Sequence, residues 1–132
     1  MKKKSIKLLA LGVASIFVCV VSVSAITQYV AFSFSSVGQK QETTQSLNAG
    51  TDVLKADLFE TGNATMGLSL SKSGLFGWSF ISRCNPSVEG KTSVSCTWKG
   101  QKKGTFKGTA VLNSKDSSFN GSVSGQLSLY NS

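Results

Sequence analysis

The stretch that decides the fold begins Trp78-Ser79-Phe80-Ile81-Ser82-Arg83-Cys84, continues through residues 85–95 and ends Cys96-Thr97-Trp98. Successive side chains of a strand point to opposite faces, so Trp78 and Cys84 share one face of a first strand. By the same parity Cys96 and Trp98 share one face of a second strand. Eleven residues separate the cysteines, and a symmetric hairpin that brings them together has its centre at Gly90, where a turn favours positive φ. The stretch therefore predicts a β-hairpin with both tryptophans beside a cysteine pair.

The first 25 residues have the three parts of a secretory signal peptide. Lysines at positions 2, 3, 4 and 7 precede an almost unbroken apolar run over residues 8–21, and Val23-Ser24-Ala25 supplies small residues suited to cleavage. We expect cleavage after Ala25, which leaves a signal peptide, residues 1–25, and one secreted domain, residues 26–132. An uncleaved anchor is the alternative, but the run is short against the roughly 20 residues that span a bilayer. The lysine-rich leader is typical of bacterial export.

Charge and cysteine content narrow the function of the secreted domain. Without the four leader lysines, ten of the fourteen basic residues face six acidic ones, a net charge of about +4. This balance favours weak attraction to anionic surfaces and does not indicate nucleic-acid recognition. Two cysteines remain, Cys84 and Cys96, and an even pair in an exported chain predicts a structural disulfide. Histidine is absent, so we expect no zinc site and no His-dependent nucleophile.

Hydrophobic alternation predicts the fold class. Residues 28–35, 65–71 and 105–112 alternate between apolar and polar, with turns rich in glycine, serine and asparagine between the alternating segments. Residues 53–59 alternate as well, although two leucines four apart leave a short helix open. Residues 36–50 lack periodicity and are a loop or a ragged edge strand. The pattern predicts an all-β domain, a single antiparallel β-sandwich of seven or eight short strands.

Three segments, residues 68–74, 98–100 and 103–108, resemble small exported β-sandwich proteins of Gram-positive bacteria. In those proteins a polar strand that ends in a short loop is followed by a Gly-Thr-aromatic strand near the end, as in the pre-peptidase C-terminal-like and galactose-binding-like jelly rolls. The resemblance covers residues 51–130 and implies a jelly-roll-like sandwich that serves as a surface-binding or structural module. The metal and sugar ligands of some of those proteins have no clear counterpart here, so no site residue is carried over.

A basic group follows the second cysteine. It is a candidate contact for an anionic cell-wall polymer, a glycan or a lipid surface. The alternative is a solvated turn in which lysines maintain solubility and protect a sheet edge. The group consists of Lys99, Lys102, Lys103 and Lys107.

The aromatic residues also allow two interpretations. Phe76 and Trp78 are candidate aromatic contacts, because an exposed aromatic row stacks on sugar rings or faces lipid. The pattern nevertheless favours the core for Trp78 and Trp98, since tryptophan beside a disulfide often fills the core of a sandwich.

The sequence favours a non-enzymatic function, with no catalytic residue, metal ligand or cofactor predicted. We expect an exported protein that binds or decorates the cell surface or the extracellular matrix. Two alternatives stay open: a secreted cationic bacteriocin- or toxin-like effector acting on neighbouring cells, and a protease inhibitor that presents the disulfide-braced loop of residues 85–95. The acidic residues are expected as solvated surface charges rather than as a catalytic pair; they include Asp52, Asp57, Glu60, Glu89 and Asp116.

Overall fold

The computed structural model describes residues 27–132, and the signal peptide predicted for residues 1–25 lies outside this range. The described chain forms eight strands and no helix. Residues 53–59, for which a short helix was the alternative, therefore lie within a strand. The strands are β1 (Tyr29–Phe34), β2 (Lys40–Leu47), β3 (Gly50–Glu60), β4 (Ala64–Gly74), β5 (Gly77–Cys84), β6 (Ser93–Gln101), β7 (Gly104–Lys115) and β8 (Val123–Asn131).

The strands form two four-stranded antiparallel sheets. Sheet 1 has the order β1-β8-β3-β6, and sheet 2 has the order β2-β7-β4-β5. Consecutive strands mostly lie in opposite sheets, which is the arrangement of an eight-stranded jelly roll. The predicted antiparallel β-sandwich is therefore confirmed.

The core lies between the two sheets and is filled by inward-facing side chains of both. Gly108 of β7 is required here, because a Cβ at that position would lie 2.5 Å from Cδ1 of Leu54 on the opposite sheet. The glycine thus allows a leucine of sheet 1 to pack directly against the backbone of sheet 2. The largest fully buried apolar side chains are Phe106, Leu54, Met66, Leu68, Leu70, Leu112, Leu127 and Leu129.

The predicted hairpin between the two cysteine strands is wrong. Strand β5 is an edge strand of sheet 2 and pairs with β4, whereas β6 is an edge strand of sheet 1 and pairs with β3. The connection between them therefore crosses one end of the sandwich. Gly90 has the expected positive φ, 71°, but its turn belongs to this crossing and is closed by Lys91 N–H donating to the Val88 carbonyl at 3.1 Å. Alternation specifies the faces of a strand but not its partner, so it did not exclude this pairing.

A disulfide joins Cys84 and Cys96, as predicted. The Cα atoms of the two cysteines are 6.1 Å apart, and both side chains pack against the core. Because β5 and β6 share no backbone pairing, the bridge connects the two sheets rather than the two strands of one hairpin. It fastens two edge strands at one side of the sandwich.

The polar segment that was predicted as a loop or a ragged edge strand contains β2. This strand pairs with β7 at the edge of sheet 2. Thr43 and Leu47 are buried, while Lys40 and Glu42 are exposed. The strand is polar because, at an edge, only part of its inward face reaches the core.

Candidate functional site

The hairpin between β4 and β5 ends in a two-residue turn, Leu75-Phe76. Gly74 pairs with Gly77 below the turn, and Gly77 has a φ of 103°, which a residue without a Cβ adopts at little cost. The turn positions themselves carry two residues that turns normally avoid, since Gly, Asn, Asp, Pro and Ser dominate there. Leu75 is 96% exposed and Phe76 is 101% exposed. Large apolar side chains at the tip of a hairpin add nothing to the core. Residues that are unfavourable in a turn and gain no packing there indicate a contact function.

The apolar surface continues along the outer face of β5. Trp78 pairs with Ser73 and Phe80 pairs with Ser71. Trp78 is 44% exposed and Phe80 is 67% exposed. The core position expected for Trp78 is therefore wrong, and both Trp78 and Phe76 lie at the surface.

A β-bulge at Ile81 explains why Trp78 faces outward. Leu70 pairs with Ser82 and the next residue, Ser71, pairs with Phe80, so Ile81 is the extra residue on β5. One extra residue moves all side chains beyond it to the other face of the sheet. Cys84, on the near side of the bulge, keeps its inward direction, whereas Trp78 is turned to solvent.

Lys107 links the aromatic strand to the middle of sheet 2. Its ammonium group lies 4.7 Å from the centroid of the Trp78 ring and 3.7 Å from Oε2 of Glu42. A cation over an indole ring is attracted by the ring electrons. Of the predicted basic group, Lys107 is thus engaged by protein partners on the outer face of sheet 2.

The other three lysines of that group lie at the same end of the sandwich as the Leu75-Phe76 turn. Lys102 and Lys103 form the turn between β6 and β7. The pairing of Lys72 with Phe106 shows that β7 starts beside the end of β4, where the Leu75-Phe76 turn begins. The three lysines are exposed and have no ion-pair partner among residues 27–132. We call this surface the basic-apolar end; its residues are Leu75, Phe76, Lys99, Lys102 and Lys103.

Exposed carboxylates lie away from the basic-apolar end. Glu60 ends β3, Glu89 lies between β5 and β6, and Asp116 follows β7, all at the opposite end of the sandwich. There they are interspersed with Lys91 and Lys115, so the opposite end has mixed charge. The basic-apolar end is therefore the more strongly cationic end of the described chain.

Asp52 lies near the basic-apolar end but is fully buried. It faces inward on β3 and pairs with Trp98, so the prediction of a solvated surface charge is wrong. Asn131 Nδ2 donates to its Oδ1 at 2.7 Å, while Oδ2 has no hydrogen-bond partner within the described residues. Burial raises the pKa of Asp52 to about 6, against the opposing effects of the Asn131 hydrogen bond and the positive charge of Lys72.

A cleft of about 160 Å³ lies on the outer face of sheet 1. Its floor is Ser128, which pairs with Tyr29 on one side and with Lys55 on the other and is 2% exposed. Lys55 Nζ lies 3.5 Å from Asp57 Oδ1. Tyr130 completes the cleft together with Thr27. Two phenol rings, a charged pair and a hydroxyl suit a small polar ligand.

The crossing between β5 and β6 is not an extended, presented loop. Val88 at its centre is fully buried, and its N–H donates to the Ala64 carbonyl at 3.0 Å. Thr61 Oγ1 donates to the Val88 carbonyl at 2.7 Å. The loop is therefore attached to the sandwich over its centre, which counts against a protease-inhibitor function.

Within residues 27–132 no group of three or more His, Cys, Asp or Glu side chains is placed to hold a metal ion. The same residues include no helix long and apolar enough to span a membrane.

Several solved structures match the chain, among them the following three. A protein of Sulfurospirillum deleyianum has a TM-score of 0.57 and 7% sequence identity, over 81% of this chain and 98% of that one. The Yersinia pseudotuberculosis-derived mitogen has a TM-score of 0.53 and 14% identity, over 81% and 86% of the two chains. The CBM36-1 domain of a multidomain xylanase from the hindgut metagenome of Trinervitermes trinervoides has a TM-score of 0.46 and 13% identity, over 76% and 77%.

At these identities the first two structures show the fold alone. No family model matches the chain, and no curated protein is similar to it. The jelly-roll sandwich implied by the resemblance of residues 51–130 agrees with the strand order, whereas no match places the chain among the pre-peptidase C-terminal-like proteins.

Proposed function

We propose that this chain is a non-enzymatic binding module that attaches to an anionic cell surface through its basic-apolar end. The observation that carries the proposal is the fully exposed Leu75-Phe76 turn at the same end of the sandwich as three unpaired lysines. Exposed lysines alone are explained by their contribution to solubility, and a single exposed apolar residue is ordinary on a protein surface. The two features together form a surface that is costly to leave in water and matches an anionic partner.

The expected energies are sufficient for attachment. Each lysine near an anionic surface contributes about 1 kcal/mol, and the attraction falls off within a Debye length. Burial of a leucine or phenylalanine side chain contributes roughly 1.5–3 kcal/mol. Three lysines and two apolar side chains thus supply enough free energy for reversible binding, with a strong dependence on salt.

Retention on bacterial cell-envelope preparations tests the proposal. We expect the exported, oxidised protein to be retained at low salt and released at high salt. The double variant Lys102→Gln/Lys103→Gln should lower the affinity on the order of tenfold or more. The matched control, Lys40→Gln/Lys91→Gln, removes the same charge away from the basic-apolar end and should be retained like the wild type.

Two results would overturn the proposal. Equal losses in both double variants would mean that net charge, not the basic-apolar end, governs retention. Absence of retention at low salt would remove the attachment function altogether.

A second candidate is binding of a saccharide in the cleft on sheet 1, which the tyrosine-lined geometry favours. Saccharides bind where aromatic faces and planar polar groups converge. Titration with neutral oligosaccharides, followed by nuclear magnetic resonance, should shift signals of Tyr29 and Tyr130. Tyr29→Ala should abolish those shifts without changing envelope retention; shifts that persist in this variant would place the ligand elsewhere.

The effector hypothesis stays a prediction. An effector would share the attachment step with a binding module and would then damage the cell to which it is attached. Growth inhibition of neighbouring strains or dye release from them by the folded protein would favour an effector, and inertness across several strains would leave the binding module.

A further inference from the structure

We infer that the anionic surface is a phospholipid bilayer and that the Leu75-Phe76 turn inserts into its interfacial region. This inference rests on the proposed attachment through the basic-apolar end. It adds the chemical class of the partner and the depth at which each side chain lies.

The shape of the turn favours a bilayer over a polymer. Sites for small molecules and for extended chains are concave and offer placed hydrogen-bonding groups. The Leu75-Phe76 turn is a hairpin tip, with two side chains that are almost completely exposed and carry no polar group. A hydrated polymer gains little from such a tip, whereas the deformable apolar region of a bilayer accommodates it.

The order of residues along the hairpin matches the depth profile of a membrane interface. The apolar tip comes first, and Trp78 follows one residue after the Gly77 that closes the turn. Tryptophan is enriched where hydrocarbon meets headgroups. The pairing of Lys72 with Phe106 brings the turn of Lys102 and Lys103 level with the apolar tip. Their long side chains can extend back to the headgroup phosphates, where a lysine is attracted to anionic lipid.

The backbone of the tip permits shallow insertion only. A polar backbone group without a partner is costly in hydrocarbon. The turn has two residues between the paired Gly74 and Gly77, so few unpaired backbone groups enter the interface. The structure therefore points to peripheral docking, with the sandwich remaining in water.

Binding to vesicles tests the inference. The exported, oxidised protein is titrated with phosphatidylcholine vesicles, with and without phosphatidylglycerol. We expect binding to the mixed vesicles and a loss of at least about tenfold in Leu75→Ser/Phe76→Ser. The matched control is Val37→Ser/Phe59→Ser, which removes two exposed apolar side chains at the opposite end of the sandwich and should bind like the wild type.

Trp78 reports the depth of insertion. Its fluorescence should shift to the blue on binding mixed vesicles and be quenched by lipids brominated on the acyl chain. Trp78→Phe should lose this response, because the other tryptophan, Trp98, is already in the core. Unfolding curves of all variants check that the fold is unchanged.

The outcomes separate this inference from the proposed function. If Leu75→Ser/Phe76→Ser binds mixed vesicles as the wild type does, the lysines act alone and insertion is wrong. If no vesicle binds while salt-sensitive retention on envelope polymers persists, the lipid partner is wrong and the anionic-surface module stands. If neither occurs, both fall.

Discussion

Strands β5 and β6 are edge strands joined by one disulfide, yet they place their tryptophans in opposite environments. Trp98 of β6 is 9% exposed and faces the core, whereas Trp78 of β5 is 44% exposed and faces solvent. Strand β6 keeps the strict alternation from Cys96 to Trp98. The bulge at Ile81 interrupts it between Cys84 and Trp78. One extra residue can therefore turn the far half of an inward-facing strand toward solvent without moving the disulfide.

Among the variants that test this difference, truncation of the buried tryptophan should have the largest effect on stability. Trp98→Ala leaves a cavity and removes the apolar area of an indole ring, so the free energy of unfolding should fall by about 3–5 kcal/mol. Urea unfolding followed by circular dichroism measures the change. Trp98→Phe keeps most of the volume and should lose less than half as much. A loss below about 1 kcal/mol in the alanine variant would place Trp98 outside the effective core.

Removal of the disulfide should have the next largest effect. Cys84 and Cys96 are twelve positions apart, and closing a loop of this length stabilises a fold by about 3 kcal/mol in the chain-entropy model. Cys84→Ala/Cys96→Ala should therefore unfold at a clearly lower urea concentration. Wild-type protein unfolded in the presence of reductant is the control and should show a similar loss. A disulfide that acts only locally would instead leave global stability unchanged.

The buried carboxylate beside Trp98 adds a pH dependence. The pKa of Asp52 is raised to about 6, so the folded state favours the protonated form. Well below pH 3.8, the ordinary pKa of the group, both folded and unfolded states hold the proton and burial has no ionic cost. As the pH rises from about 4 to 6 the unfolded state releases its proton first and stability falls, by on the order of 3 kcal/mol in all, a loss that is complete about one pH unit above the folded-state pKa.

Asp52→Asn should abolish this slope. Urea unfolding at intervals between pH 4 and pH 7 compares the two proteins. The pKa of Asp116 is lowered by its hydrogen bonds to Ser118. Its protonation therefore lowers stability as the pH falls below its ordinary value of 3.8, and the range from pH 4 to pH 7 excludes this effect. An unchanged slope in Asp52→Asn would mean that Asp52 is not the group that titrates.

The fold class was predictable from the sequence because alternation and glycine-rich turns are local signals. The disulfide followed from counting cysteines, and the buried position of Trp98 followed from parity. The partner of each strand was not predictable in this way. A strand with one apolar face can pair with several other strands and still bury that face. The predicted hairpin around Gly90 paired the two cysteine strands across the shortest separation in sequence. In the jelly roll, β6 instead pairs with β3, which is distant in sequence.

The candidate site was less accessible to sequence reasoning. Phe76 and the three lysines were recognised by composition, but their shared end depends on the strand order. The outward direction of Trp78 depends on the bulge, for which Ile81 gives no local signal. Leu75 was missed, although an apolar pair between Gly74 and Gly77 was a signal that could have found it, because glycines at both sides leave no conformational reason for leucine and phenylalanine in the turn.

Truncation of the exposed tryptophan should give the smallest effect and completes the comparison. Trp78→Ala removes contacts with Lys107 but no core volume, so the free energy of unfolding should change by at most about 1 kcal/mol. A double-mutant cycle with Lys107→Met isolates the ring–ammonium contact, for which we expect about 0.5–1 kcal/mol. Lys40→Met, which removes the other lysine near Glu42, is the control and should show no coupling to Trp78. A loss in Trp78→Ala as large as that in Trp98→Ala would mean that the outer face of β5 is structural, and the contact function assigned to it would lose its basis.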